Sequence, residues 1–402
     1  MSPETPVAAL KCLFVHDNRY LARGGRVYSE GQFAYRDWHR YLTAYGRLSV
    51  AGRAARDDAD PDLARLNVSS GPGVDFALLP SVAGPGALVR NTLPLRRQLS
   101  RLIADHDVVI ARLPSEAGLV ACDLARRAGK AYGIEVVGCP YDALRHYGSR
   151  LARVYARLAA WRLRRAVRRA PCVLYVSQAF LQGRYPADRN AATFVASNVE
   201  LEPPDRDLVA RRKARLENPP DALVLGYCGS FANLAKGFDV VLRALHLARD
   251  RLPAFELRAI GPGDPTVWRP RVRDLGLEDV VSLQGALQSG APVRAWMDDL
   301  DLLVHAGLQE GLPRTVLEAF SRACPVVATR AGGTGELLGA DALHAPGDEH
   351  ALAERLVAFA TDGERRLRQA LENARTAARF DPEHLTLVRQ RFLACAGRGD
   401  DT

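Results

Sequence analysis

The 402-residue chain has no apolar run that reaches the roughly 18 residues of a membrane-spanning helix, which excludes an integral membrane protein of the helical kind. A secretory leader is not expected either: the apolar run Leu13-Phe14-Val15 is short and preceded by Lys11. The seven cysteines are dispersed at 12, 122, 139, 172, 228, 324 and 395, with no C-x-x-C and no His/Cys group at ligand spacing. A zinc site is therefore not expected, and reduced thiols in a cytoplasm are. The Asn67-Val68-Ser69 sequon has no meaning in such a compartment. No Gly-x-Gly-x-x-Gly followed by an acid at the usual offset is present, which argues against a nicotinamide dinucleotide. Short internal repeats and low-complexity tracts are also missing.

What is present is an ordinary globular balance, 48% hydrophobic and 25% charged. The net charge of +9 comes mostly from arginine. It favours anionic partners: phosphates, acidic lipid headgroups or nucleic acid. A compositional bias toward Arg and Ala would give the same charge with no functional content.

Short apolar runs alternate with helix-like runs along the whole chain. The runs at 10–17, 47–53, 75–81, 107–114, 131–138, 172–177 and 192–197 form one set of candidate strands, and those at 223–230, 255–263, 280–285, 301–307 and 325–329 a second. They are continuous rather than alternating in polarity, as buried parallel strands are. Between the sets lies a polar stretch with two Pro-Pro pairs. The pattern predicts two doubly wound α/β domains: 1–200, a linker at 201–221, then 222–379. Asp381 and Pro382 mark the start of a last helix, 380–398.

Ligands of open α/β sheets sit at the carboxyl ends of strands. In the second half, glycines stand at five such ends: Gly229, Gly261 with Gly263, Gly285, Gly307 with Gly311, and Gly332 with Gly333. One glycine there is a turn; five mark a ligand crevice. Near Pro313 a helix is expected to begin, because proline suits a first helical turn and Leu312 before it is pushed out of the α region. Val316, Leu317, Phe320 and Ala323 mark its buried face, and Pro325 its end. Glu310 then lies in the loop before the helix and Glu318 in its second turn. The two acids flank a helix N-terminus, a feature that binds anions through free N–H groups. A nucleotide sugar suits that setting; an amphipathic helix with exposed acids is the alternative. In residues 226–245 a strand, a glycine turn and Lys236-Gly237 follow one another, placing a cation beside a helix start, either toward a phosphate or in solvent.

Taken together, these pieces resemble family 4 of the retaining glycosyltransferases, of GT-B fold, over nearly the full chain and most strongly from about 222 to 337. The E-x7-E motif stands as Glu310…Glu318, the donor loop as Gly229…Lys236-Gly237, and the Gly-Gly-x-x-Glu loop as Gly332 to Glu336. The loop around Gly24 and Gly25 is similar to the glycine-containing loop after the first strand. The resemblance implies two Rossmann-like domains facing each other across a cleft, with the last helix crossing back to the N-terminal, acceptor-binding domain. It implies that Glu318 holds the ribose hydroxyls, Glu310 the donor sugar and Lys236 the pyrophosphate. N–H groups at Arg314 and Thr315 would assist, with Gly285 and Ala286 near the base and Gly311 and Leu312 along the donor. No metal or other cofactor is implied, since the cation and helix terminus take up the leaving-group charge. Asp299-Leu300-Asp301 imitates a metal-binding pair but reads as a helix end and strand start.

The chain departs from the family twice. Ser230 stands where many members have Arg, and Arg112 about where many have His. Arg112 is a candidate to replace the missing donor-loop cation, an acceptor-binding residue, or structural. Asp17, Glu135 and Asp142 are further acceptor-side candidates.

From Arg145 to Arg184 there are ten Arg and no Asp or Glu. Leu151, Val154, Tyr155, Leu158 and Trp161 or Leu163 lie on one side of the helix this stretch predicts. Two readings stand: an anionic membrane surface, or packing of that side on the sheet with Arg in water. Nucleic acid is not expected, for want of interleaved aromatics or a binding motif. The functional expectation is a cytoplasmic, metal-independent transferase that moves a sugar from a UDP- or GDP-sugar to a glycan, lipid-linked or small acceptor, peripheral on the membrane if the basic helix docks there. The alternatives are a nucleotide-sugar epimerase or hydrolase on the same fold, and a non-catalytic two-lobed binding protein.

Overall fold

The computed structural model describes residues 10–398 apart from 31–32, 56–62, 64–65, 83–84, 146–149 and 200. The chain divides into two compact units. One takes the chain up to Pro140, Arg157–Ala196 and the chain from Thr386; the other takes Tyr141–Ala156 and Ser197–Leu385.

The first unit carries β1 (Lys11–Arg23), β2 (Arg26–Ser29), β3 (Arg47–Ala54), β4 (Asn67–Val68), β5 (Val74–Leu79), β6 (Val108–Leu113), β7 (Ala131–Val136), β8 (Cys172–Tyr175) and β9 (Ala192–Val195). Its parallel strands lie in the order β5-β3-β1-β6-β7-β8-β9, winding one way from β1 and then the other. The glycine loop expected after the first strand is a hairpin instead. β1 runs on to Arg23, Gly24 and Gly25 make the turn, and β2 pairs back antiparallel with Arg23 opposite Arg26. From the sequence the strand is expected to end near residue 17, because β1 turns polar after its buried stretch Cys12–Val15, yet the strand runs on out of the core.

The second unit carries β10 (Leu223–Cys228), β11 (Phe255–Ile260), β12 (Val281–Gly285), β13 (Leu302–His305), β14 (Val326–Thr329) and β15 (Leu343–His344). They form a parallel sheet in the order β12-β11-β10-β13-β14-β15. All four residues of β8, β13 and β14 are buried, which is why these strands read as unbroken apolar runs. Each unit is thus a Rossmann-like α/β sheet.

Where a linker was expected at 201–221, a helix forms over Arg206–Glu217, capped by Asp205 accepting the Leu208 N–H at 2.7 Å. Its Arg212 is buried and donates to the carbonyls of Met297, Leu300 and Arg322, while Arg215 pairs with Asp301. Polar composition misleads here because these arginines satisfy carbonyls inside the second unit. Asp301 also accepts the Val224 N–H at 2.8 Å, so it pins the start of β10. The last helix, Pro382–Arg398, is capped by Asp381. Within the first unit Phe392 and Ala396 pack under Gly133, where a Cβ would meet Ala396 at 2.8 Å, and the Tyr45 hydroxyl donates to the Leu393 carbonyl.

The basic helix spans Arg150–Val167. Its buried side is Ala156, Ala159, Leu163 and Val167, whereas Val154, Leu158 and Trp161 are exposed at 76%, 48% and 53%. Of the residues read on the apolar side, Leu163 packs, while Val154, Leu158 and Trp161 face away; Ala156 and Ala159 let the buried side approach the fold.

Candidate functional site

The carboxyl ends of β10, β11, β12 and β13 carry Gly229, Gly261, Gly285 and Gly307. After β10, Gly229 and Ser230 lead into a 3-10 turn, Leu234–Lys236, and then Gly237 opens the helix Phe238–Ala248. Gly237 has φ 76°, and a Cβ there would lie 1.9 Å from the Ala306 carbonyl oxygen. Only glycine permits that approach, and it seats Lys236 beside the loop that follows β13.

That loop holds Glu310. The Lys236 Nζ donates to Glu310 Oε1 at 2.8 Å, although 74 residues separate them. Gly332 supports the loop from behind: its φ is 57° and a Cβ would fall 1.7 Å from the Glu310 carbonyl oxygen. The Gly333 N–H donates to the Gly311 carbonyl at 2.8 Å. The Gly-Gly-x-x-Glu segment, a 3-10 turn over Gly332–Glu336, thus fixes the Glu310-Gly311 backbone.

His305, at the end of β13, completes the group. Its Nε2 lies 3.5 Å from Glu310 Oε1, is buried, and has no hydrogen-bond partner among the described residues. Burial lowers the imidazole pKa to about 4, outweighing the opposite pull of Glu310, so His305 is neutral at physiological pH. Position at a strand's carboxyl end was the one sequence signal for it; a histidine ending an apolar run reads as core.

The helix Arg314–Phe320 is seven residues long, with Pro313 as its N-cap. It ends five residues before Pro325, and Ala323 turns with φ 48°. Glu318 accepts from Arg314 Nε at 2.9 Å. Cys228, at the end of β10, sits against this helix: burial, then the Glu318 charge, push its thiol up to about 11, opposed by a hydrogen bond with Thr315. Glu318 and Thr315 are thereby gathered at the end of β10. Gly285 has φ 76° and its carbonyl accepts the Gly261 N–H at 2.8 Å, placing Ala286 just past the β12 end. Gly311 and Leu312 bridge Glu310 to the helix. Ser230 contributes no cation, so Lys236 is the basic side chain bonded to Glu310.

In the first unit the candidates form a different group. Arg112 on β6 and Glu135 on β7 are register partners, and their side chains pair at 3.2 Å, Glu135 buried and Arg112 partly so. The Tyr41 hydroxyl donates to Glu135 at 2.7 Å, and the Arg112 guanidinium lies over Phe33. Glu135 balances the Arg112 charge, a physical argument against Arg112 as an uncommitted phosphate cation. Asp17 accepts the N–H groups of Glu116 and Ala117 at 2.7 and 3.2 Å, so it caps the helix Glu116–Arg127. Burial raises its pKa against those bonds. Gly24 and Gly25 are the hairpin turn. Asp142 lies in the helix Pro140–Arg145, in the segment that belongs to the second unit.

Residues 222–362 match the family described as glycosyl transferases, group 1. Protein CapJ of Staphylococcus aureus is 24% identical over 384 residues, 96% of this chain and 95% of CapJ. A GDP-mannose-dependent alpha-(1-6)-phosphatidylinositol monomannoside mannosyltransferase of Mycolicibacterium smegmatis is 30% identical over 273 residues, 63% of this chain and 67% of that protein. Anabaena HepE, solved with UDP and glucose, matches in fold with a TM-score of 0.62 at 19% identity, covering 95% of this chain and 98% of HepE.

Proposed function

The chain belongs to the group 1 glycosyl transferases, with a GT-B fold and a nucleotide-sugar donor, and on that premise we propose a metal-independent transfer that retains the donor's anomeric configuration. The observation that carries the reading is the Lys236–Glu310 pair at the carboxyl edge of the second sheet. As the glycosidic bond breaks, the nucleoside diphosphate gains negative charge. An ammonium has three donors, so Lys236 can hold Glu310 with one and the pyrophosphate with another. Glu310, braced by Gly332, holds the sugar hydroxyls, and Glu318 holds the ribose diol. The mycobacterial relative is named for GDP-mannose and HepE was solved with UDP, so both bases stay in the proposal. The acceptor is a glycan or a lipid-linked intermediate of surface polysaccharide. The enzyme works at the cytoplasmic face of the membrane, a reading supported by the exposed apolar line on the Arg-rich helix.

Lys236→Ala tests this. A charge-assisted bond contributes roughly 1.5–3 kcal/mol, so turnover falls about ten- to a hundred-fold, while the protein stays folded with a melting temperature lowered by the unpairing of Glu310. Turnover near that of the parent would remove Lys236 from the reaction.

A further inference from the structure

The basic helix has three longitudinal lines. Val154, Leu158 and Trp161 form the exposed apolar one. On one flank Arg153, Arg157, Arg164 and Arg168 are exposed, at helical spacing. On the other, Arg162, Arg165 and Arg169 open on a cleft of about 240 Å³ whose far wall includes Arg96, Asp123 and Arg126. Two acids serve this region. Asp123 is shared among Arg96, Arg126 and Arg127. Glu116 accepts two bonds from Arg162, at 2.9 and 2.7 Å. No described carboxylate pairs with Arg165 or Arg169, and the Arg165 guanidinium lies over the Trp161 ring at 5.5 Å. The cleft therefore carries surplus positive charge directly beside an exposed tryptophan.

We propose that this cleft is a phosphate site for an anionic lipid headgroup, entered while Val154, Leu158 and Trp161 sit in the acyl boundary of the same bilayer. The proposal rests on the membrane part of the reading above and adds a defined headgroup site to it. Charge complementarity argues for a phosphate: guanidinium forks match its oxygens bidentately. The adjoining apolar line argues that the phosphate belongs to a lipid rather than to a soluble anion, because a freely dissolved ligand gives no reason to expose Trp161 next to it. A tryptophan at headgroup depth, with arginines on both sides, is the arrangement an interface favours.

The full-length protein is tested on phosphatidylcholine vesicles with and without phosphatidylglycerol. Of its four tryptophans, Trp38, Trp268 and Trp296 are buried, so a blue shift of emission on vesicle binding reports Trp161. The expected result is co-sedimentation and a blue shift with the anionic vesicles alone, both reversed as salt rises. Arg165→Gln with Arg169→Gln lowers the partition coefficient by about thirty-fold. Arg206→Gln with Arg211→Gln, an equal charge loss on exposed residues of another helix, changes it little. Trp161→Ser removes the shift. Equal recovery on neutral and anionic vesicles overturns the proposal. So does an equal loss in both double variants, which would reduce the cleft to general charge. Protection by inorganic phosphate without vesicle binding would assign a soluble anion instead. Nucleoside diphosphate affinity, measured in the same variants by titration, stays at the parent value. Its absence in the parent would count against the transferase reading, independently of the vesicle result.

Discussion

At the scale of single residues, His305 is the group whose state the fold dictates most strongly. A free imidazole titrates near ~6.5, and burial brings His305 to about 4. Between those values the unfolded chain binds a proton that the folded protein refuses, so its contribution to stability is complete above the upper value and is lost as pH falls. The loss is at most roughly 3 kcal/mol. His305→Gln removes it, so urea unfolding compared at neutral and at mildly acidic pH shows a shallower pH dependence than the parent. An unchanged dependence would mean burial does not hold the ring neutral. Glu310 and Glu318 should fail differently. Glu318→Gln is expected to weaken bare nucleoside diphosphate and raise the donor KM, because the proposed ribose contact binds ground state and transition state alike. Glu310→Gln is expected to leave diphosphate affinity nearly unchanged and to lower kcat, because its proposed contact is to the sugar while charge develops. Titration calorimetry beside steady-state kinetics separates the two, and the reverse pattern would exchange the roles.

At the scale of elements, Gly237 and Gly332 do what no side chain can. A methyl group at Gly332 would overlap the Glu310 carbonyl, and the left-handed φ adds about 1–2 kcal/mol for an L-residue. Gly332→Ala is expected to lower the unfolding midpoint and to reduce kcat by displacing Glu310, with the Gly335→Ala change, which meets only the flexible Arg330 side chain at 3.6 Å, as the mild control. The elements also show where sequence reading stops. The strands were legible because a buried parallel strand is apolar at each position. The helix over 206–217 was not, because Arg212, buried to satisfy carbonyls, and its exposed charged neighbours have the composition of a linker. The Arg-rich helix was legible as a helix but not in orientation, since alanines on one side and larger apolar residues on the other offer two plausible core faces. The side that fits joins those alanines to Leu163 and Val167.

At the scale of the whole molecule, Gly229, Lys236, Glu310 and Glu318, the residues proposed to hold the donor, all belong to one of the two units. A ligand present at a hundred times its dissociation constant stabilises what it binds by about 2.7 kcal/mol. Scanning calorimetry with UDP or GDP is therefore expected to raise the transition of the second unit, with the first following only as far as it is coupled. The base that shifts the transition identifies the donor. A shift confined to the first unit, or none with either diphosphate, would place the nucleotide elsewhere.

The sequence by itself determined the two parallel α/β units, the approximate limits of their main strands, the glycines at the strand ends and the spacing of the two acids. All of these follow from local rules: apolar periodicity, helix caps, and the turn residues that a strand end requires. Tertiary structure decided the pairings. Lys236 meets Glu310 across 74 residues because Gly237 lets one loop approach the next. Arg112 meets Glu135 because β6 and β7 adopt one register out of several. Which side of the basic helix faces water was settled by the space available beneath it. Such outcomes depend on what closes over a residue in three dimensions, and local periodicity carries no record of that.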